Sequence, residues 1–120
     1  MNLVVLRGTL SSDPVDRQLA SGSTIWSLEV TSRTAEGVFS APVAWVDPPH
    51  PPRVTSGDEV VVVGQVRRRF FRSGGSTQSR TEVVATSVTS ARRSADVRRA
   101  LQRARAVLDD QVAVDDAPVG

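Results

Sequence analysis

The 120-residue chain contains no cysteine, no lysine and no tyrosine, and its single histidine is His50. The lack of cysteine excludes disulfide bonds, thiol catalysis and zinc sites built from cysteine and histidine. Any acid–base role for a histidine depends on His50, which lies among four prolines in residues 47–52 with no acidic residue adjacent to it. We therefore predict a protein that is not an enzyme and that uses no cofactor and no metal.

Long apolar runs are also absent, since the longest, such as residues 60–63, have only four residues. A membrane-spanning helix needs about 20 apolar residues, and the amino terminus lacks the pattern of a signal peptide. The hydrophobic fraction of 39% and the charged fraction of 23% are close to the averages for globular proteins. We therefore expect one folded domain that resides in the cytoplasm and does not bind a membrane.

All fifteen basic residues are arginines, and they are unevenly distributed along the chain. Residues 1–108 hold all fifteen against nine acidic residues, an excess of six positive charges, whereas residues 109–120 hold four aspartates and no base. A basic body with an acidic tail points toward a polyanionic partner. The alternative is an arginine-rich surface that is only solvated.

Five segments have the β-branched composition, the alternation and the flanking turn residues that are typical of β-strands. These segments are residues 2–10, 24–34, 38–46, 59–72 and 80–89. The proline-rich residues 47–52 can form only a connecting loop. Five short strands without interleaved helices favour an all-β fold, and the length of about 90 residues favours a small five-stranded barrel.

The residues after Ser94 change to a helical period. An apolar stripe with steps of four, three and four predicts an amphipathic helix over residues 94–108. The stripe consists of Val97, Leu101, Ala104 and Leu108, and the arginines lie off it.

The aspartates that follow fit poorly at the negative carbonyl end of a helix. We therefore predict that residues 109–120 form a flexible acidic tail, which aids solubility or docks a partner. The predicted organisation is a barrel domain over residues 1–91, an arginine-rich helical segment over residues 92–108, and this tail.

Residues 67–80 hold five arginines, two phenylalanines and no acidic residue. Strand alternation places Arg67, Arg69 and Phe71 on one face and the intervening residues on the other. Guanidinium groups beside an aromatic ring suit a single polynucleotide strand, because phosphates attract the charges and bases stack on the ring. In the alternative interpretation, Phe71 packs in the barrel and the arginines only solvate a protruding hairpin.

Phe39 and Trp45 are six residues apart in the third strand, so alternation places them on the same face. If that face is exposed, these two rings and Phe71 form a platform for base stacking; if it is buried, they belong to the core. Trp26 is assigned to the core, because its neighbours on the same face of the second strand are apolar.

Over residues 1–91 these features resemble the bacterial single-stranded DNA-binding proteins of the OB-fold family. Gly8, Leu10, Asp13 and Pro14 fit the turn pattern G-x-L-x-x-D-P of that family. The other segments that carry the resemblance are residues 2–10, 25–31, 57–67 and 81–84.

The resemblance implies an OB-fold barrel that coats single-stranded DNA with little sequence preference during replication, repair or recombination. It also implies a nucleoid-associated homo-oligomer, either a dimer or a tetramer, that contacts replication or repair proteins. Together with the strand-face argument, it yields a predicted nucleic-acid-binding set. That set is Arg33, Phe39, Trp45, Arg67, Arg69, Phe71, Arg72 and Arg80.

Three departures from the family pattern indicate a divergent paralogue. The proline-rich residues 47–52 replace the family's helix between strands three and four, an arginine-rich helix replaces its long linker, and the acidic end lacks a terminal aromatic residue. Two other functions are consistent with the residues. One is a protein-interaction barrel that resembles the primosomal accessory type, and the other is an RNA-binding barrel of the cold-shock or translation type.

Overall fold

A computed structural model of the chain describes residues 1–115, which form six strands and one helix. The elements are β1 (Val4–Leu10), β2 (Val15–Gln18), β3 (Thr24–Thr34), β4 (Gly37–Val46), β5 (Glu59–Ser73), β6 (Ser76–Ser90) and α1 (Ser94–Asp115). All five predicted strands are present, as β1, β3, β4, β5 and β6. The additional strand, β2, is four exposed residues long and has no apolar alternation that sequence analysis could detect.

Five of the strands close into a barrel in the order β1-β5-β6-β4-β3. The barrel closes where Thr9 and Leu10 of β1 pair with Thr31 and Val30 of β3. Among the described pairings, β4 with β6 is parallel and the others are antiparallel. The strand β2 lies outside the closed barrel, paired with β3. The prediction of a small all-β barrel is therefore confirmed.

The inward-facing side chains of the strands form the core. Leu10, Val30, Val60 and Val62 are almost completely buried. Trp26 is partly buried against this cluster, which confirms its assignment to the core. Burial of apolar surface of this kind stabilises a fold by about 25 cal/mol per Å².

The loop between β4 and β5 contains no helix, as the prolines predicted. It still contributes to the core, because Val54 is buried within the main hydrophobic cluster. At the start of the loop, the Asp47 carboxylate accepts a hydrogen bond from the backbone N–H of Thr24 at 2.8 Å. This bond, with a further one from Ser23, lowers the pKa of the Asp47 carboxyl.

Gly64 lies where β5 crosses β6 at a register irregularity. A Cβ atom at this position would be 2.2 Å from the carbonyl oxygen of Val84, a backbone atom that cannot rotate away. The absence of a side chain at Gly64 therefore allows the two strands to approach each other.

We expect Gly64→Ala to lower the free energy of unfolding by about 3 kcal/mol, because overpacking against backbone must shift one of the strands. Urea denaturation followed by circular dichroism measures this change. The control is Gln65→Ala at the adjacent exposed position, which is expected to stay within about 0.5 kcal/mol of the parent chain. Equal stability of the two variants would contradict the claim that β5 and β6 can approach each other only because Gly64 has no side chain.

Two hairpins extend from the same end of the barrel. Because β4 and β6 are parallel neighbours, the turns that precede them lie at the same end. The β5–β6 turn consists of Gly74 and Gly75, with φ values of 59° and 82°, the left-handed backbone that a two-residue hairpin needs. The β3–β4 hairpin pairs Thr34 with Gly37 across its turn, which confirms the predicted connection of these strands.

The helix α1 packs on the outside of the barrel. Ala100 and Ala104 are buried against Val63 of β5, and small side chains at these two positions let the helix approach the sheet closely. The predicted apolar stripe is wrong at Leu101, which is 40% exposed. Ala100 is the buried residue instead. The face of α1 that packs on the barrel is therefore the one with the small side chains, and not the one with the largest apolar side chain.

The helix also continues beyond its predicted end at residue 108 to Asp115. The Arg105 guanidinium lies 3.1 Å from the Asp109 carboxylate four residues later, a spacing that supports the helix in spite of the acidic residues. The part of the predicted flexible tail up to residue 115 is therefore helical, and residues 116–120 lie outside the described residues. In the described part of the chain, no helix has the length and apolar character needed to span a membrane.

Candidate nucleic-acid interface

A groove of about 370 Å³ crosses the outer surface of the barrel. Residues from β2, β3, β4, β5 and β6 line it, so that it runs across five strands. We call it the arginine groove. Its charged residues are Asp16, Arg17, Glu29, Arg67, Arg69, Arg80 and Glu82.

Strand register brings three of the predicted residues together in the arginine groove. Arg69 of β5 pairs directly with Arg80 of β6, and Arg67 is two residues away on the same face. Phe71 follows on that face beyond the groove, and the Arg69 guanidinium carbon lies 5.7 Å from the centre of its ring. The predicted alternation along β5 is therefore confirmed, with a partly exposed ring beside the cationic face.

Carboxylates of the protein already contact these arginines. An oxygen of Glu82 lies 2.7 Å from Arg67 Nη2 and 4.0 Å from Arg69 Nε, and Glu29 lies 3.8 Å from Arg80. Four arginines and three carboxylates leave an excess of one positive charge in the groove. A bound phosphate must therefore compete with internal ion pairs.

These ion pairs leave donor capacity in the groove. The side chains of Arg67, Arg69 and Arg80 are each 41–51% exposed, although Glu82 is almost fully buried. Within the described residues, Arg69 Nε is buried and has no hydrogen-bond partner. A buried N–H without a partner costs about 1–3 kcal/mol; because this atom is buried, the donors available to a ligand lie in the exposed parts of the three arginine side chains.

Trp45 was predicted as a stacking residue, and the structure contradicts this prediction. Its side chain is 6% exposed and belongs to the main core cluster. It pairs across the sheet with Trp26, and both rings lie on the inward face of the barrel. A tryptophan in a strand is compatible with either face, and only the closure of the barrel decides between them.

Phe39 lies on the same strand face as Trp45, as predicted, but it is 56% exposed. The reason is that β3 and β4 extend past the barrel, so the inward face of the strands is uncovered toward the hairpin turn. Phe71 lies on the outward face of its own hairpin. The predicted platform of Phe39, Trp45 and Phe71 is therefore wrong, because the three rings do not share one surface.

Two further residues of the β5–β6 hairpin are on the inward face. Phe70 is 66% exposed, and Arg72 donates a hydrogen bond to the carbonyl oxygen of Gly75 at 3.3 Å. Arg72 is thus separated from Arg67 and Arg69, with which it was grouped. The exposure of Phe70 was missed, because sequence analysis treated its face as the opposite of the binding face.

Arg33 lies away from the arginine groove. It borders a separate depression between β1 and β3, together with Arg7 and Glu59. Arg17 does line the groove, although it is not in the predicted binding set. It was missed because its strand, β2, was not predicted.

His50 lies in the loop between β4 and β5, with its Nδ1 atom 3.0 Å from the carbonyl oxygen of Pro51. No acidic side chain is hydrogen-bonded to it within residues 1–113. In the same part of the chain, no three side chains of histidine, cysteine, aspartate or glutamate are grouped closely enough to hold a metal ion.

No family model and no curated protein matches the chain by sequence. Among solved structures, the chain is similar to a deletion mutant of the single-stranded DNA-binding protein from Thermus aquaticus, with a TM-score of 0.62 and 21% sequence identity. The match covers 75% of this chain and 40% of the Thermus chain, so this protein spans less than half the length of its structural neighbour. Together with the closed five-stranded barrel, this likeness confirms the predicted OB fold.

Proposed function

We propose that this protein binds single-stranded DNA in the arginine groove, with little dependence on base sequence. The observation that carries the proposal is the position of the groove in an OB fold. It covers the outer face of β3 and β4 and is flanked by β2 and the β5–β6 hairpin. In OB folds, this face and these two flanking connections are where oligonucleotides bind.

The chemistry of the arginine groove supports the same ligand. Its half-exposed arginines supply charged donors for phosphate oxygens. Phe71 supplies an exposed ring at the edge of the groove, where stacking of one base contributes about 1–3 kcal/mol regardless of base identity. A structural neighbour that is a single-stranded DNA-binding protein is consistent with this proposal.

The experiment is a titration of fluorescent oligothymidylate into the full chain at 50 mM and 200 mM salt. We expect the affinity to fall steeply between these concentrations, because each neutralised phosphate of a single strand contributes about 0.7 to the slope of log K against log salt. An affinity that does not change with salt would contradict binding by charge. Competition with an RNA oligomer of the same length tests whether the groove distinguishes the two sugars.

We also propose that the protein acts as a homo-oligomer in DNA replication, repair or recombination, as the family resemblance implies. Light scattering with and without oligonucleotide measures the oligomeric state. A monomer in both conditions would contradict this part of the proposal, without affecting the assignment of the groove.

A further inference from the structure

A second basic depression lies between α1 and the barrel. It has a volume of about 330 Å³ and is lined by the loop between β4 and β5, the second half of β6 and the first turns of α1. We call it the helix cleft. Four of its lining residues are arginines that come from three different segments: Arg53, Arg93, Arg99 and Arg103.

The helix cleft has a larger excess of positive charge than the arginine groove. Asp96 is the acidic residue among its lining side chains, and it pairs with Arg99. Four guanidinium groups against one carboxylate leave an excess of three positive charges, compared with one in the groove. Like charges held close together repel one another, so the cleft is suited to an anionic ligand.

Hydroxyl groups supply further donors along the β6 wall of the helix cleft. Thr86 already donates to the carbonyl oxygen of Val63, and the Ser90 hydroxyl accepts a bond from the backbone of Arg92. Ser87 and Thr89, also in the wall, make no side-chain hydrogen bond within the described residues. Guanidinium and hydroxyl groups that line one cleft are the donors that phosphate oxygens prefer.

The strand β6 connects the two basic sites. Glu82 borders the arginine groove and Thr86 borders the helix cleft. Four residues of extended strand separate them, which corresponds to about 13 Å. A single strand that leaves the groove along β6 therefore meets the cleft within the roughly 4–16 nucleotides that one OB fold can contact.

We propose that the helix cleft is a second phosphate-binding site, which holds the backbone of a DNA strand that has already entered the arginine groove. This inference rests on the proposed function, since it extends the path of the same ligand. The helix α1 thereby acts as one wall of the binding surface. Its closely packed face, through Ala100 and Ala104, holds Arg99 and Arg103 at a fixed position beside β6.

The test compares the full chain with the double variant Arg53→Gln/Arg103→Gln. The matched control is Arg92→Gln/Arg98→Gln, which removes the same charge from exposed positions outside the cleft lining. Each protein is titrated with oligothymidylates of about 5 and about 20 nucleotides, lengths chosen around the range that one OB fold contacts. Thermal unfolding confirms that the variants remain folded.

For the long oligonucleotide, we expect the cleft variant to lose roughly tenfold in affinity at low salt, with the salt slope reduced by about 1.4, or about 0.7 for each lost phosphate contact. For the short one, which the groove accommodates, we expect no difference. The control variant should behave like the parent chain with both lengths. This combination of results supports the proposal.

Three results overturn the inference while leaving the groove intact. In the first, the cleft variant binds the long oligonucleotide as tightly as the parent chain. In the second, the control variant loses as much affinity as the cleft variant, which indicates that the total charge of the protein and not the cleft attracts the strand. In the third, the cleft variant loses binding of thymidine monophosphate or of a short poly-aspartate peptide but binds oligonucleotides as the parent chain does. The cleft arginines would then serve a different anionic ligand. If the parent chain binds neither oligonucleotide, the proposed function itself fails.

Discussion

We expect the replacement of Arg67, Arg69 and Arg80 together with glutamine to lower the affinity for oligothymidylate by roughly 100-fold, because three phosphate contacts of about 1 kcal/mol each are removed. This value per contact is below the roughly 1.5–3 kcal/mol of other charged hydrogen bonds, because Glu82 and Glu29 already lie close to these guanidinium groups. The slope of log K against log salt should fall by about 2. Fluorescence titration at several salt concentrations measures both quantities.

The matched control for this triple variant is Arg92→Gln/Arg98→Gln/Arg105→Gln. It removes the same charge at exposed positions that do not line the arginine groove. If both triple variants lose the same affinity, the charge of the whole protein and not the groove attracts the strand. Retention of full affinity by the groove variant would remove the basis of the proposed function.

The second large effect concerns stability. We expect Trp45→Ala to lower the free energy of unfolding by about 3–5 kcal/mol, because the truncation of a buried tryptophan leaves a cavity in a closely packed core. Trp45 is 6% exposed within the main cluster. Urea denaturation followed by circular dichroism measures the change.

The companion variant is Phe71→Ala, which removes an exposed ring of the β5–β6 hairpin. We expect its stability to stay within about 0.5 kcal/mol of the parent chain, while its affinity for oligothymidylate falls by roughly fivefold, which corresponds to the low end of about 1 kcal/mol for loss of one stacked base. The opposite pattern, with Phe71→Ala unfolded and Trp45→Ala stable but weak in binding, would reverse the assignment of the two rings.

The charge balance of the arginine groove affects how the groove would bind the proposed DNA strand. Glu82 is buried and accepts a hydrogen bond from Arg67 at 2.7 Å, so this arginine is held in place before any ligand arrives. Positioning of this kind reduces the entropy that binding must remove. Under the proposed function it would also favour a strand with several phosphates over a single phosphate, which gains little over the existing carboxylate.

Local properties of the chain determined the strands and turns. Alternation along residues 67–71 placed Arg67, Arg69 and Phe71 on one face because side chains in any strand alternate with a period of two. Gly74 and Gly75 marked the hairpin because few other residues adopt positive φ. Both signals act within a few residues, so they do not depend on the rest of the fold.

For the rings of β4, the choice between inward and outward faces was decided only by the tertiary structure. Trp45 is buried and Phe39 exposed on one face of one strand, because the barrel closes around the first and ends before the second. The pairing of Arg67 with Glu82 and the clustering of Arg53 and Arg103 beside β6 likewise join residues far apart in sequence. Such contacts depend on strand order and closure, which a local pattern does not contain.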